Sequence, residues 1–186
     1  MREMIQKKGL FIPDPGIIIP MLMRDPRQNV AVILFSGKKI KDIIFGSNIV
    51  TDEGDKFYAQ EACAETPTYA FDRMFLASAG PATPAKTDIR SAFTDISGSE
   101  KQKYSGYPKT NDGDSDNTGA GVDVISWLFS YATTDGNWSG ITHAYVTYAT
   151  PPAGAVLLSS IKFAAAWAKD SNTSAKVFVN HTENGV

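Results

Sequence analysis

The sequence predicts a mainly β fold: an antiparallel β-sandwich or jelly-roll-like body with one or two short helices and an extended N-terminal arm. The second half of the chain alternates apolar and polar residues with period two. Turns rich in Gly, Asn and Asp separate these runs, and only one segment has a clear helix start signal. We expect residues 1–45 to form the arm plus a hairpin, and residues 46–186 to form the β-rich body.

Residues 1–28 predict the extended arm. Each proline there fixes φ and biases the preceding residue toward extended geometry, at Pro13, Pro15, Pro20 and Pro26. The segment is also more apolar than an ordinary disordered tail, so it needs a surface to lie on. That surface belongs either to the chain's own body or to a neighbouring subunit. The candidate partner-binding residues are Leu10, Phe11, Ile17, Ile18, Ile19, Met21, Leu22 and Met23.

The middle of the chain predicts a hairpin, a helix and a strand. Two Val- and Ile-rich runs, residues 30–35 and 40–45, flank a turn that contains glycine. Thr51 then begins a helix with acidic residues in its first turn, over residues 51–65. We expect Phe57, Ala62 and Cys63 on its inner face. A strand follows over residues 73–80.

Residues 81–121 predict mostly loop, with a short helix near residues 88–93. A loop region of this length is unusual in a compact domain and indicates an exposed functional or interaction surface. Tyr104, Tyr107 and Trp138 are candidate ring platforms for a sugar there, with burial at the edge of the core as the alternative.

The C-terminal part predicts strands over residues 122–133, 141–150, 156–170 and 175–181. In the first of them four large apolar residues recur at every second position and share one face: Ile125, Trp127, Phe129 and Tyr131.

Charge and composition exclude several function classes. The net charge is −2, so we expect neither nucleic acid nor membrane as a partner. Asp14 and the prolines interrupt the first apolar stretch, which predicts neither a signal peptide nor a spanning helix. Residues 1–46 carry eight basic and four acidic residues, and the remainder carries ten and sixteen, which indicates that the two parts face different surroundings.

The stretch NDGDSDNTGAGVD is a candidate calcium loop. Asp112, Asp114, Asp116 and Asp123 follow the spacing of an EF-hand loop. Asn117 replaces the usual glycine, and a strand rather than a helix follows the loop. We therefore expect a polar loop rich in Asx turns, with a calcium site between strands as the alternative.

No catalytic or cofactor-binding motif is present. The sequence has neither a G-x-S-x-G elbow, nor a phosphate-binding loop, nor G-x-G-x-x-G. His143 and His181 have no metal-binding spacing, so we expect them to be strand residues with satisfied rings. Cys63, the only cysteine, predicts a half-buried apolar side chain. We expect no catalytic residue, metal or cofactor.

The body resembles a family. The segment NIVTDEGDKFYAQEACAETPTYAFDRMFLASAG (48–80) is similar to the opening of small β-rich virion proteins of tailed bacteriophages, with a Thr-x-x-Gly helix, a loop containing proline and a strand. VDVISWLFSYATTDGNWSGITHAYV and the closing VFVNHTENGV also resemble that family. The likeness covers residues 48–186 and is a pattern of element order, without a catalytic signature.

The resemblance implies a non-enzymatic structural protein of the virion. The arm favours a capsid decoration (cement) protein on the outer capsid surface, which clasps the major capsid protein and associates with itself as a dimer or trimer. The alternative is a neck, tail or fibre component with receptor- or glycan-binding loops.

Overall fold

The computed structural model describes residues 29–111 and 124–182. The expected arm, with all eight of its candidate partner-binding residues, and the aspartate-rich loop lie outside the described residues. Ten strands and one α-helix are found in the described part. The strands are β1 (Val30–Ser36), β2 (Lys39–Val50), β3 (Arg73–Ala79), β4 (Thr94–Asp95), β5 (Lys101–Gln102), β6 (Lys109–Asn111), β7 (Val124–Tyr131), β8 (Trp138–Thr147), β9 (Ser159–Lys169) and β10 (Thr173–Thr182). The helix is α1 (Asp52–Ala62), and a 3-10 turn covers Arg90–Ala92.

The predicted fold class is confirmed: the protein is mainly β and antiparallel, with one helix. All ten strands belong to one curled sheet in the order β4-β3-β8-β9-β2-β1-β10-β7-β6, and β5 pairs with β3. The bridge between Lys103 and Phe129 then links the β5 segment to β7. The two ends of the main sheet therefore approach each other, and the sheet encloses an interior. The expected domain boundary between residues 45 and 46 falls within β2, which pairs with β9 from Gly46 to Val50.

The interior is the main hydrophobic core. Alternate residues of each long strand point into it, including Val30, Val32 and Leu34 of β1. The predicted period-two face of β7 is also there, because Trp127, Phe129 and Tyr131 are each no more than 1% exposed.

Helix α1 packs at the end of the interior where β7 begins and β10 ends. Thr51 is its N-cap, as predicted, and its Oγ1 accepts a hydrogen bond from the Gly54 N–H at 3.1 Å. Phe57 packs edge-on to Phe71 with 5.5 Å between ring centroids. The predicted inner face is wrong in its other members, because Ala62 and Cys63 are exposed. Gly54 is the buried residue, and a Cβ added to it would lie 2.2 Å from the Leu158 carbonyl oxygen.

The opposite end of the interior is closed by a buried cation. Lys169 is 1% exposed, and its Nζ donates to the carbonyl oxygens of Gly136 at 2.9 Å and Thr133 at 3.3 Å. The same Nζ lies 5.5 Å from the ring centroid of Trp138. Carbonyl dipoles and an aromatic face thus compensate the charge that burial would otherwise penalise.

Candidate interaction surface

A second apolar cluster lies on the outside of the curled sheet. The strand registers place four of its residues in one row across β2, β1, β10 and β7, since Ala31 pairs with Phe45 and with Phe178, and Phe178 pairs with Leu128. The small side chain of Ala31 lies between two phenylalanines and leaves a notch in the row.

The neighbouring row along the strands contains both apolar and charged residues. Ile33 pairs with Ile43 on one side and with Lys176 on the other. We call the whole cluster the outer apolar face, formed by Ala31, Ile33, Phe35, Ile40, Ile43, Phe45, Leu128 and Phe178. Four of its members are nearly inaccessible, at 1% for Ala31, 2% for Ile33, 3% for Leu128 and 4% for Phe178.

Aromatic residues of the β5–β6 connection border this face. The N–H of Tyr104 donates to the Leu128 carbonyl oxygen at 2.8 Å, which anchors the connection beside β7. Tyr107 packs against the outer apolar face, and the Lys109 Nζ lies 4.9 Å from its ring centroid. Tyr104 is 53% exposed and its ring centroid is 6.5 Å from that of Tyr107. Two of the three predicted ring platforms are therefore brought together.

Trp138, the third predicted ring platform, packs elsewhere. Its ring contacts Tyr131 edge-on at 5.7 Å between centroids, at the Lys169 end of the interior. Trp138 thus lies at the edge of the core, which was the alternative expectation.

The N-terminal segment leaves the body at a fixed point beside the outer apolar face. The Asn29 side chain accepts from the Asn48 N–H at 2.7 Å and donates to the Asn48 carbonyl oxygen at 3.3 Å. The Asn29 carbonyl oxygen also accepts from the Asn180 N–H at 2.8 Å. These bonds hold the residue before β1 between β2 and β10, so residues 1–28 join the body where three strands of the face meet.

A buried polar chain lies inside the sheet, at the α1 end. The indole N–H of Trp127 donates to the Tyr58 hydroxyl oxygen at 2.8 Å, and that hydroxyl is 2.5 Å from the His181 Nδ1. Burial raises the pKa of the Tyr58 phenol, so it keeps its proton and donates it to Nδ1. The neutral imidazole then carries its own proton on Nε2, which is buried without a hydrogen-bond partner among the described residues. Burial lowers the pKa of His181 to about 3, so the ring stays neutral at physiological pH.

The predicted satisfied rings are therefore found in part. His143 in β8 has partners for both nitrogens, Thr142 Oγ1 at 2.8 Å and the Pro81 carbonyl oxygen at 3.1 Å. Among the described residues, His181 has a partner for Nδ1 alone. Within residues 29–111 and 124–182, no three His, Cys, Asp or Glu side chains are grouped as metal ligands. None of the helices in the described chain is long and apolar enough to cross a membrane.

The outer apolar face was not predicted, although the sequence contains a signal for it. VAVILF is a continuous apolar run, a pattern typical of a strand with both faces covered. Val30 and Val32 point inward and Ala31 and Ile33 outward, and all four are buried. In β7 the outer-side residues are Ser126, Leu128 and Ser130. Because the two serines are polar, the sequence pattern did not indicate an apolar residue on that side.

Comparison of the chain with protein-family models, with curated proteins and with solved structures finds no match.

Proposed function

We propose that this protein is a non-enzymatic structural protein of a tailed-bacteriophage virion, and that it acts as a capsid decoration (cement) protein. In this proposal it stabilises the shell by clasping subunits of the major capsid protein with its N-terminal segment. The observation that carries the proposal is the composition of residues 1–28, apolar and rich in proline, joined directly to a compact β body.

The joint supports this mechanism. Asn29 is hydrogen-bonded to β2 and to β10, so force on the N-terminal segment is transmitted to a sheet with a continuous apolar core. The charge of the segment agrees with it, since residues 1–28 carry five basic and three acidic residues and so suit an acidic partner surface. Buried apolar surface stabilises by roughly 25 cal/mol per Å² before the cost of ordering the segment.

The proposed partners are the major capsid protein and other copies of this chain, as a dimer or trimer, on the outer capsid surface. Self-association would join two or three N-terminal segments in one oligomer. The oligomer would then bind the shell more tightly than a single copy without any new contact in each segment. Nucleic acid and membrane have no part in the proposal.

Binding to empty capsids of the phage that encodes the chain tests the proposal. We would compare the full chain, a chain that lacks residues 1–28, and a chain in which the eight candidate partner-binding residues are replaced by serine. The serine variant keeps the basic charges, so it separates apolar contacts from charge attraction. We expect regular density over the shell in cryo-electron microscopy for the full chain, and its loss for both variants. Full occupancy by the truncated chain would refute the mechanism.

A second candidate function is a neck, tail or fibre component that binds a receptor or glycan. The exposed Tyr104 beside Tyr107 and Lys109 favours it, because ring faces next to a cation are suited to stacking on sugars. A glycan array that compares the full chain with Tyr104→Ala tests it. Binding that the substitution abolishes would support this function, and no binding by either protein would count against it.

A further inference from the structure

The outer apolar face is nearly inaccessible, yet the described apolar residues from outside its four strands reach it only at one margin. Side chains that stand side by side on a sheet shield each other's flanks, but their tips point outward. Yet Ile33 and Phe178 are only 2% and 4% exposed. Among the described apolar residues that pack against the face, Tyr107 alone comes from outside its four strands. Tyr107 lies beside β7, at one margin of a face that extends to β2.

A second outer apolar cluster of the same sheet is covered by a described loop. Phe75 and Tyr145, on the outer side of β3 and β8, stack with 5.3 Å between ring centroids. The 81–99 loop carries Phe93 over them, 4.8 Å from the Tyr145 ring. Arg90 fixes that loop through Asp95, with 2.8 Å between its Nη2 and the carboxylate. A described loop thus places an aromatic ring over one outer apolar face, whereas the described apolar residues reach the other face only at its margin.

The segment before β1 has the right position and composition to complete the cover. It joins the body at Asn29, two residues from Ala31 in the middle of the face. The four residues Asp25–Pro26–Arg27–Gln28 have the sequence signature of a type I turn, with Asp first and Pro second, and such a turn would reverse the chain direction. Residues 17–23, IIIPMLM, precede that turn and contain six large apolar side chains.

We propose that residues 17–23 fold back over the outer apolar face of the same chain, with an apolar side chain seated in the notch at Ala31. Seven extended residues span roughly 20 Å at about 3.3 Å per residue. The four strands of the face, about 4.8 Å apart, span roughly 14 Å. The segment is therefore long enough to cross the face from the turn that begins beside β1.

The cover does not depend on the virion role, but it moves the six candidate partner-binding residues within residues 17–23 from the capsid to the chain's own body, so the N-terminal segment has two parts. Residues 17–23 cover the chain's own body, whereas Leu10, Phe11 and Ile12 remain beyond Pro13 to reach a partner. Serine substitutions at those three positions would test capsid binding alone and leave the cover intact. Failure of one proposal is thereby distinguishable from failure of the other.

Disulfide trapping in the full chain tests the cover. In a Cys63→Ser background, Lys176→Cys places a thiol on the face, and a second cysteine is introduced singly at Ile17, Ile18, Ile19, Met21, Leu22 or Met23. The control pairs the same six positions with Ser139→Cys, an exposed residue of β8 on the far side of the curled sheet. We expect mild oxidation to trap at least one Lys176→Cys pair about tenfold faster than any control pair.

The trapped species must also be intramolecular. In an equal mixture of ¹⁵N-labelled and unlabelled chains, mass spectrometry of the cross-linked peptides distinguishes the two arrangements. Peptide pairs of a single label support the proposal. Mixed pairs would assign the face to a second copy, and equal rates with the Ser139→Cys controls would place the segment elsewhere. Either result overturns the proposal, and because the exchanged positions are surface or segment residues, no variant removes a core side chain.

Discussion

Replacing His181 with Asn removes a buried titratable ring but keeps a hydrogen-bond acceptor near the position of Nδ1, where the Tyr58 hydroxyl donates. In the folded protein the ring takes up a proton only near pH 3, whereas in the unfolded chain it does so near the ordinary value of 6.5. Because the folded pKa is depressed, the stability is fully present above about pH 6.5. It is lost progressively as the pH falls from there toward about 3.

The magnitude follows from proton linkage. Between about pH 7.5 and pH 5 the unfolded ring becomes almost fully protonated while the folded ring stays neutral. The free energy of unfolding of the native protein should therefore fall by about 2 kcal/mol more than that of His181→Asn. The carboxyl groups and His143, whose pKa burial also lowers, are present in both proteins, so their contributions cancel in the comparison.

Urea unfolding at several pH values, followed by circular dichroism, measures both proteins under the same conditions. The comparison uses the difference between their pH slopes, so a constant loss of stability in the variant does not affect it. Parallel pH dependences would refute the placement of His181 as a buried neutral ring.

Three further substitutions test how the body is held together, each by urea unfolding. Gly54→Ala brings a Cβ against the Leu158 carbonyl oxygen, so we expect a loss of about 3 kcal/mol; Gly154→Ala, where a Cβ meets open space, should change little, and equal effects would contradict the packing of α1. Lys169→Ala leaves buried carbonyl oxygens without a donor, and we expect a loss of about 2–3 kcal/mol that is larger than that of Lys169→Met, which keeps the apolar stem. Thr51→Ala removes the N-cap oxygen and should cost about 1 kcal/mol, while Thr51→Ser should restore most of it.

Local features of the sequence predicted the local structure well. The Val- and Ile-rich runs around Gly37 predicted the β1–β2 hairpin, and Thr51 with its acidic first turn predicted where α1 begins. The alternation in β7 predicted which side chains face the interior. Each of these depends on neighbours within a few residues, which is the range over which backbone preference and strand periodicity act.

Long-range contacts could not be predicted in the same way. The Tyr58 hydroxyl and the His181 ring are 123 positions apart in sequence, and nothing near either residue indicates the other. The pairing of β1 with β10 depends likewise on how distant strands share one core. The inner face of α1 was misjudged because a close approach to the β8–β9 connection at Leu158 buries Gly54, whereas helical periodicity considers only apolar side chains.

The two proposals together constrain how the chain would hold a capsid. If residues 17–23 cover the chain's own body, the densest apolar cluster left for the partner is Leu10, Phe11 and Ile12, with Met1, Met4 and Ile5 nearer the N-terminus. Three buried side chains of this size contribute roughly 5–9 kcal/mol, and association of one body costs about 4–15 kcal/mol in lost freedom. A single copy that relied on this cluster alone would therefore have little net binding energy, and two or three linked copies whose segments engage neighbouring subunits together would attach more firmly. Self-association, which the resemblance implies, would thus strengthen attachment in the proposed cement mechanism if the outer apolar face is covered from within.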